Sequence, residues 1–98
     1  MIIRIVKMEF EPTQVEAFKQ LFDRHCASIR AFSGCEHLKL LQDIHKSNCF
    51  FTYSYWQDEK ALERYRTSAL FGSVWSQTKV LFNAKPEAWS TSTQVELQ

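Results

Sequence analysis

The chain has 98 residues, 45% of them hydrophobic and 23% charged, with 12 basic against 11 acidic side chains. That length allows one domain, residues 1–98, with a real core and little spare stability. The balanced charge gives no footing for nucleic acid or an anionic membrane surface, and no apolar stretch approaches the about 20 residues that span a bilayer.

"IIRIVKMEF" (2–10) alternates and is rich in β-branched residues, so it reads as a first strand. Thr13 and Glu16 have capping-box spacing, with Pro12 just outside, and predict a helix from there to about Phe32. Its apolar stripe is Val15, Phe18, Leu21, Phe22, Ile29 and Phe32. Gly34 suits the left-handed position that closes a helix.

"CEHLKLLQDI" (35–44) and "NCFFTYSYWQ" (48–57) read as a hairpin joined by "HKSN". In the second of these strands Phe51, Tyr53 and Tyr55 share one face, and Phe50, Thr52, Ser54 and Trp56 the other. Which face meets the helices is open from the sequence. Asp58 is an N-cap for "EKALERYRTS", whose inner stripe is Ala61, Leu62 and Tyr65. Ser68 restarts a helix through "ALFGSVWSQTKVLF", with Leu70, Phe71, Val74, Trp75, Thr78, Leu81 and Phe82 inward and Gly72 weakening its first turn. "AWSTSTQVEL" (88–97) alternates as a final strand.

Strand, helix, strand, strand, helices, strand is the order of an α+β, ferredoxin-like split βαβ sandwich. Right-handed crossovers place both helical segments on one sheet face. The other face carries large rings too, so a second copy of the chain is its expected cover, in a homodimer.

Cys26, Cys35 and Cys49 are odd in number and widely spaced, a poor disulfide framework. "MIIRIVKMEF" lacks the pattern of a signal peptide. The expectation is free thiols in a reducing, cytoplasmic compartment.

"RHCASIRAFSGCEHLKLLQD", "FFTYSYWQDEKALERYRTSALFGSVWSQTK" and "KPEAWST" together resemble the antibiotic biosynthesis monooxygenase family. The resemblance implies a dimeric α+β barrel, which the strand order also suits. It does not fix chemistry, because members include cofactor-free quinol oxidases, haem degraders and proteins of unassigned role. The haem-degrading branch uses an asparagine, a tryptophan and a histidine at positions that fall on Val6, Tyr65 and Trp75 here. With tryptophan at 75 there is no evident axial ligand for haem iron. The resemblance therefore points to the cofactor-independent branch, in which an electron-rich aromatic or quinol substrate reacts directly with dioxygen.

His25 lies on the stripe of the first helix, one turn from Phe22 and Ile29. It is either a core histidine bonded to a backbone carbonyl or a catalytic base. His37 sits mid-strand with Cys35 and Lys39 on its face, a structural residue or one that steadies a substrate oxygen. Tyr65 and Trp75 occupy inward helix positions and are either core or ring-stacking residues. Arg4, Val6 and Met8 share a strand face, and a buried Arg4 needs a partner, either a protein carboxylate or an anionic substrate oxygen. No metal motif, phosphate loop or nucleophilic-serine motif is present. Two further readings stand beside the monooxygenase: a dimeric barrel that binds a small ligand without turnover, and a haem-binding relative.

Overall fold

The computed structural model describes residues 1–98. Strands β1 (Ile2–Glu9), β2 (Cys35–Gln42), β3 (Cys49–Trp56) and β4 (Glu87–Thr91) form one antiparallel sheet in the order β2-β3-β1-β4. Helices α1 (Val15–Arg30), α2 (Glu59–Arg66) and α3 (Ala69–Lys79) fill the two crossovers. This is the ferredoxin-like α+β order expected from the sequence. No helix is long and apolar enough to cross a membrane, and all three cysteines are free.

The helix starts show where local chemistry decides and where it does not. The Asp58 side chain accepts a bond from Ala61 N at 2.8 Å, and the Ser68 hydroxyl accepts one from Phe71 N at 3.1 Å. Both caps are as expected. The Thr13–Glu16 capping box does not form. Pro12–Gln14 instead make one tight 3-10 turn, with Gln14 N bonded to Glu11 O at 2.8 Å, and α1 starts at Val15 with no side-chain cap. Pro12 presets the backbone for a turn here, and Glu11 is already held by its N–H to Leu81 O at 3.0 Å.

Three ends differ from expectation for tertiary reasons. Helix α3 stops at Lys79, because Phe82 leaves the helix to bridge Phe10. Strand β4 ends at Thr91, opposite Ile3, where β1 has almost no length left to pair. Strand β2 ends at Gln42, because Asp43 Oδ1 accepts bonds from His45 N and Lys46 N and turns the chain.

Pairing assigns the faces. Phe50, Thr52, Ser54 and Trp56 face the helices, opposite Met8, Val6, Arg4 and Ile2 of β1. The helix side holds two packed clusters at opposite ends of the sheet. Met8, Phe10, Phe18 and Phe50 form one. Cys35, Trp56, Ala61 and Leu62 form the other, with Phe32 and Tyr65 against it. Burying a side chain such as Phe10, which has no exposed surface, stabilises the fold by about 1.5–3 kcal/mol.

Candidate functional site

Between the two clusters the sheet floor changes character. Across the strands run Thr52–Val6–Ala88 and, one pair further, Ser54–Arg4–Ser90. Apart from Arg4 these are small or short side chains, and they cannot fill the space under the helices. The result is a cavity of about 320 Å³, at the lower end of the range for small-molecule sites.

Its roof is aromatic. Tyr65 of α2 stacks on Trp56 with ring centroids 4.8 Å apart and meets Phe71 edge-on at 5.2 Å. Phe71 stacks on Trp75 at 5.8 Å, and Trp75 meets Phe82 edge-on at 5.6 Å. These contacts form one continuous run of rings over the cavity and along α3. Phe18, Phe22 and Ile29 of α1 close another side.

The polar groups are few. Ser54 Oγ accepts a bond from Trp56 Nε1 at 3.0 Å, which holds the indole in place. Thr78, on the roof, donates its hydroxyl to Val74 O at 2.7 Å, within its own helix. The Tyr65 hydroxyl makes no hydrogen bond within the chain and is not sealed off from solvent. Burial pushes the Tyr65 phenol up to about 12, with the Cys35 thiol adding to the effect. At neutral pH it is therefore a hydrogen-bond donor and never a base. Arg4 Nη1 donates to Ser90 Oγ at 2.9 Å. Burial, and then the charge of Arg66, hold the Arg4 pKa below its ordinary value. Glu87 lies on the rim, but its carboxylate turns to the outer face, where Oε1 stands 4.0 Å from Lys7 Nζ.

Of the residues proposed from the sequence, Arg4, Val6, Tyr65 and Trp75 line this cavity, and His25 and His37 do not. His25 is half-buried. With 3.6 residues per turn it lies within the α1 stripe, between Leu21 and Ile29, yet the cavity is lined from α1 by Phe18, Phe22 and Ile29 alone. His37 is on the opposite face of the sheet. A bulge between Cys35 and His37 adds a residue to β2, so Cys35 faces the helices while His37 packs on Tyr55 at 4.9 Å. Strand alternation alone had put the two on one face. Trp56, placed by alternation on one face with Thr52 and Ser54, also lines the cavity, and so does Arg66, for which the sequence carried no expectation. Arg66 stands one turn beyond Leu62, and extending the α2 stripe by four residues finds it. No group of His, Cys, Asp and Glu side chains is arranged to hold a metal ion.

The sequence matches the family model for antibiotic biosynthesis monooxygenase over residues 1–74. The chain belongs to that family. No curated protein matches it in sequence. Among solved structures it is similar to SnoaB of Streptomyces nogalater, described as a cofactor-independent oxygenase. The TM-score is 0.87 at 18% identity, over 98% of this chain and 95% of that one. It is also similar to PA3566 of Pseudomonas aeruginosa, with a TM-score of 0.85 at 24% identity, over 96% and 94% of the two chains. A third is a conserved protein from Methanosarcina mazei Go1, with a TM-score of 0.89 at 19% identity, over 96% and 94%. At such identities the likeness to these three shows the fold, and membership of the monooxygenase family rests on the match over residues 1–74.

Proposed function

We propose that the protein is a cofactor-independent monooxygenase acting on a small aromatic or quinol substrate held in the cavity. The observation that carries this reading is the ring-roofed, small-floored space between two packed clusters. A flat ring fits between such walls, and aromatic stacking orients it. Excluding water protects a reactive substrate anion. In the reaction the substrate supplies the electrons. One oxygen atom of dioxygen enters the ring system and the other leaves as water, with two hydrogens from the oxidised carbon and its neighbourhood.

Tyr65 and Trp75 stack on the substrate, and the Tyr65 hydroxyl and Arg4 steady its oxygens. Neither His25 nor His37 reaches this space, so the base role expected of His25 passes to no other side chain, and the substrate gives its proton to bulk water at the mouth of the cavity before the ring is enclosed. That lack of a base on the wall is the observation that favours a second reading, ligand binding without turnover. Oxygen uptake with a panel of quinols separates the two. Under the monooxygenase reading, at least one quinol consumes oxygen, Trp75→Ala lowers the rate by about tenfold or more, and His25→Gln stays within about twofold. No uptake with any quinol that binds leaves the second reading.

The proposal includes a homodimer closed by the outer sheet face. Ile3, Ile5, Phe51, Tyr53 and Tyr55 lie there without a helix above them, beside Leu41 and Trp89, which are 42% and 44% exposed. Apolar faces of this extent mark association sites.

A further inference from the structure

Arg4 is the one charged side chain on the inner face of the sheet. It is half-buried, and its only hydrogen bond is to a neutral hydroxyl, Ser90 Oγ. The charge that acts on it is another cation, Arg66, which lines the same cavity. Arg66 has a carboxylate, Glu63 Oε2 at 3.5 Å, on the exposed side of α2. Arg4 has none. Of the carboxylates on the neighbouring elements, Glu87 lies with Lys7, Glu9 with Lys46, and Asp58 caps α2, while Glu59 shares a surface hollow with Arg66 and Ser90 and forms no ion pair with Arg4. A guanidinium partly withdrawn from water beside a like charge gains from an anionic partner.

We propose that Arg4 is an anchor for a carboxylate group on the aromatic ligand, so that the site takes an aromatic acid in preference to a neutral aromatic. This assignment rests on the reading of the cavity as an aromatic-binding site. It follows from the geometry of the floor. Ser54 and Ser90 flank Arg4 on the two neighbouring strands, and their short side chains leave its fork uncovered. One Nη is occupied by Ser90, and the remaining N–H groups are free to meet two oxygens side by side, the pattern a carboxylate satisfies. A phenolic oxygen satisfies it less well. A phenol ionises near pH 10, about three pH units above neutrality, whereas a carboxyl group is ionised there without help. The carboxylate at Arg4 and the ring under Tyr65 and Trp75 together fix which edge of the molecule faces the mouth of the cavity.

The test is calorimetric titration of the whole protein with naphthoate and with its uncharged amide, naphthamide, at neutral pH. Naphthoate is expected to bind about tenfold or more tightly than naphthamide, the effect of a hydrogen bond to a charged group. Arg4→Gln is expected to abolish that preference, and Arg4→Lys, which keeps the charge but not the fork, to retain part of it. Equal binding of the two ligands by the native protein overturns the anchor and leaves the aromatic site standing. A preference that survives in Arg4→Gln overturns the assignment to Arg4. Failure of both ligands to bind removes the aromatic site and the anchor with it. Where Arg4→Gln fails to fold, Arg4→Lys decides the assignment: a reduced preference supports it, and an undiminished one overturns it.

Discussion

Tyr65 joins the stability of the molecule to the cavity in one side chain. Its ring completes the cluster around Trp56, and its hydroxyl reaches the open space. Its phenol is pushed up to about 12, first by burial, while an unfolded tyrosine ionises near 10. The group is an acid whose folded form resists losing its proton. Its contribution is therefore complete below about pH 10 and is lost as pH rises toward 12, by roughly 1.4 kcal/mol per pH unit. Urea unfolding at about pH 9 and about pH 11 should show a fall in stability that Tyr65→Phe reduces. An unchanged fall in Tyr65→Phe would place the alkaline sensitivity in another group. At this scale the sequence placed Tyr65, Trp75, Arg4 and Val6 well, because each sits on a regular face of a regular element. It misplaced His37 because a single-residue bulge reverses alternation without a signature in composition. It placed His25 on the α1 stripe, but helical spacing does not say where along the stripe the space beneath the helix opens, and the cavity opens beside Phe18, Phe22 and Ile29.

Two glycines give opposite expectations at the scale of elements. Gly34 ends the α1 connection at φ +92°, and a Cβ there would collide with Cβ of Ala61. The close approach brings α2 down beside the start of β2, which buries Ala61 and Leu62 against Cys35 and Trp56. Gly34→Ala combines left-handed strain with that collision and should destabilise by about 2 kcal/mol or more. Gly72 lies within α3, and a Cβ there would meet nothing within 4 Å. Gly72→Ala should stabilise by about 0.5–1 kcal/mol. Thermal melts of the two variants check both signs at once. The elements themselves were legible where a side chain closes its own end, as Asp58 and Ser68 do. Ends set by distant partners were not. Residues 92–97 alternate like strand, yet β1 has no partner positions to offer them. Phe82 carries helical periodicity, yet it pairs with Phe10.

At the scale of the whole molecule the two sides of the sheet divide the labour. The helix side is packed at both ends and hollow in the middle, and the outer side carries rings in quantity under no helix. Both faces of β3 are aromatic, so the sequence could not assign them. The assignment follows from the pairing of Thr52 and Ser54 with Val6 and Arg4 beneath the helices. The outer face leads us to expect a homodimer. Light scattering at micromolar concentration should give twice the chain mass, and a charge introduced on the outer face by Tyr53→Glu should shift it toward the monomer. A well-folded monomer throughout would remove the barrel and leave the cavity to one chain.

The central claim is that the space between the two clusters receives a flat aromatic ring. The three tryptophans are placed to report on it, since Trp56 and Trp75 line the cavity and Trp89 lies on the outer face. Titration of nitrogen-labelled protein with naphthoate, followed by the indole N–H resonances, is the most direct measurement. The account predicts saturable shifts of the Trp56 and Trp75 resonances with Trp89 nearly still. Shifts confined to Trp89, or no saturable shift at all, would contradict it.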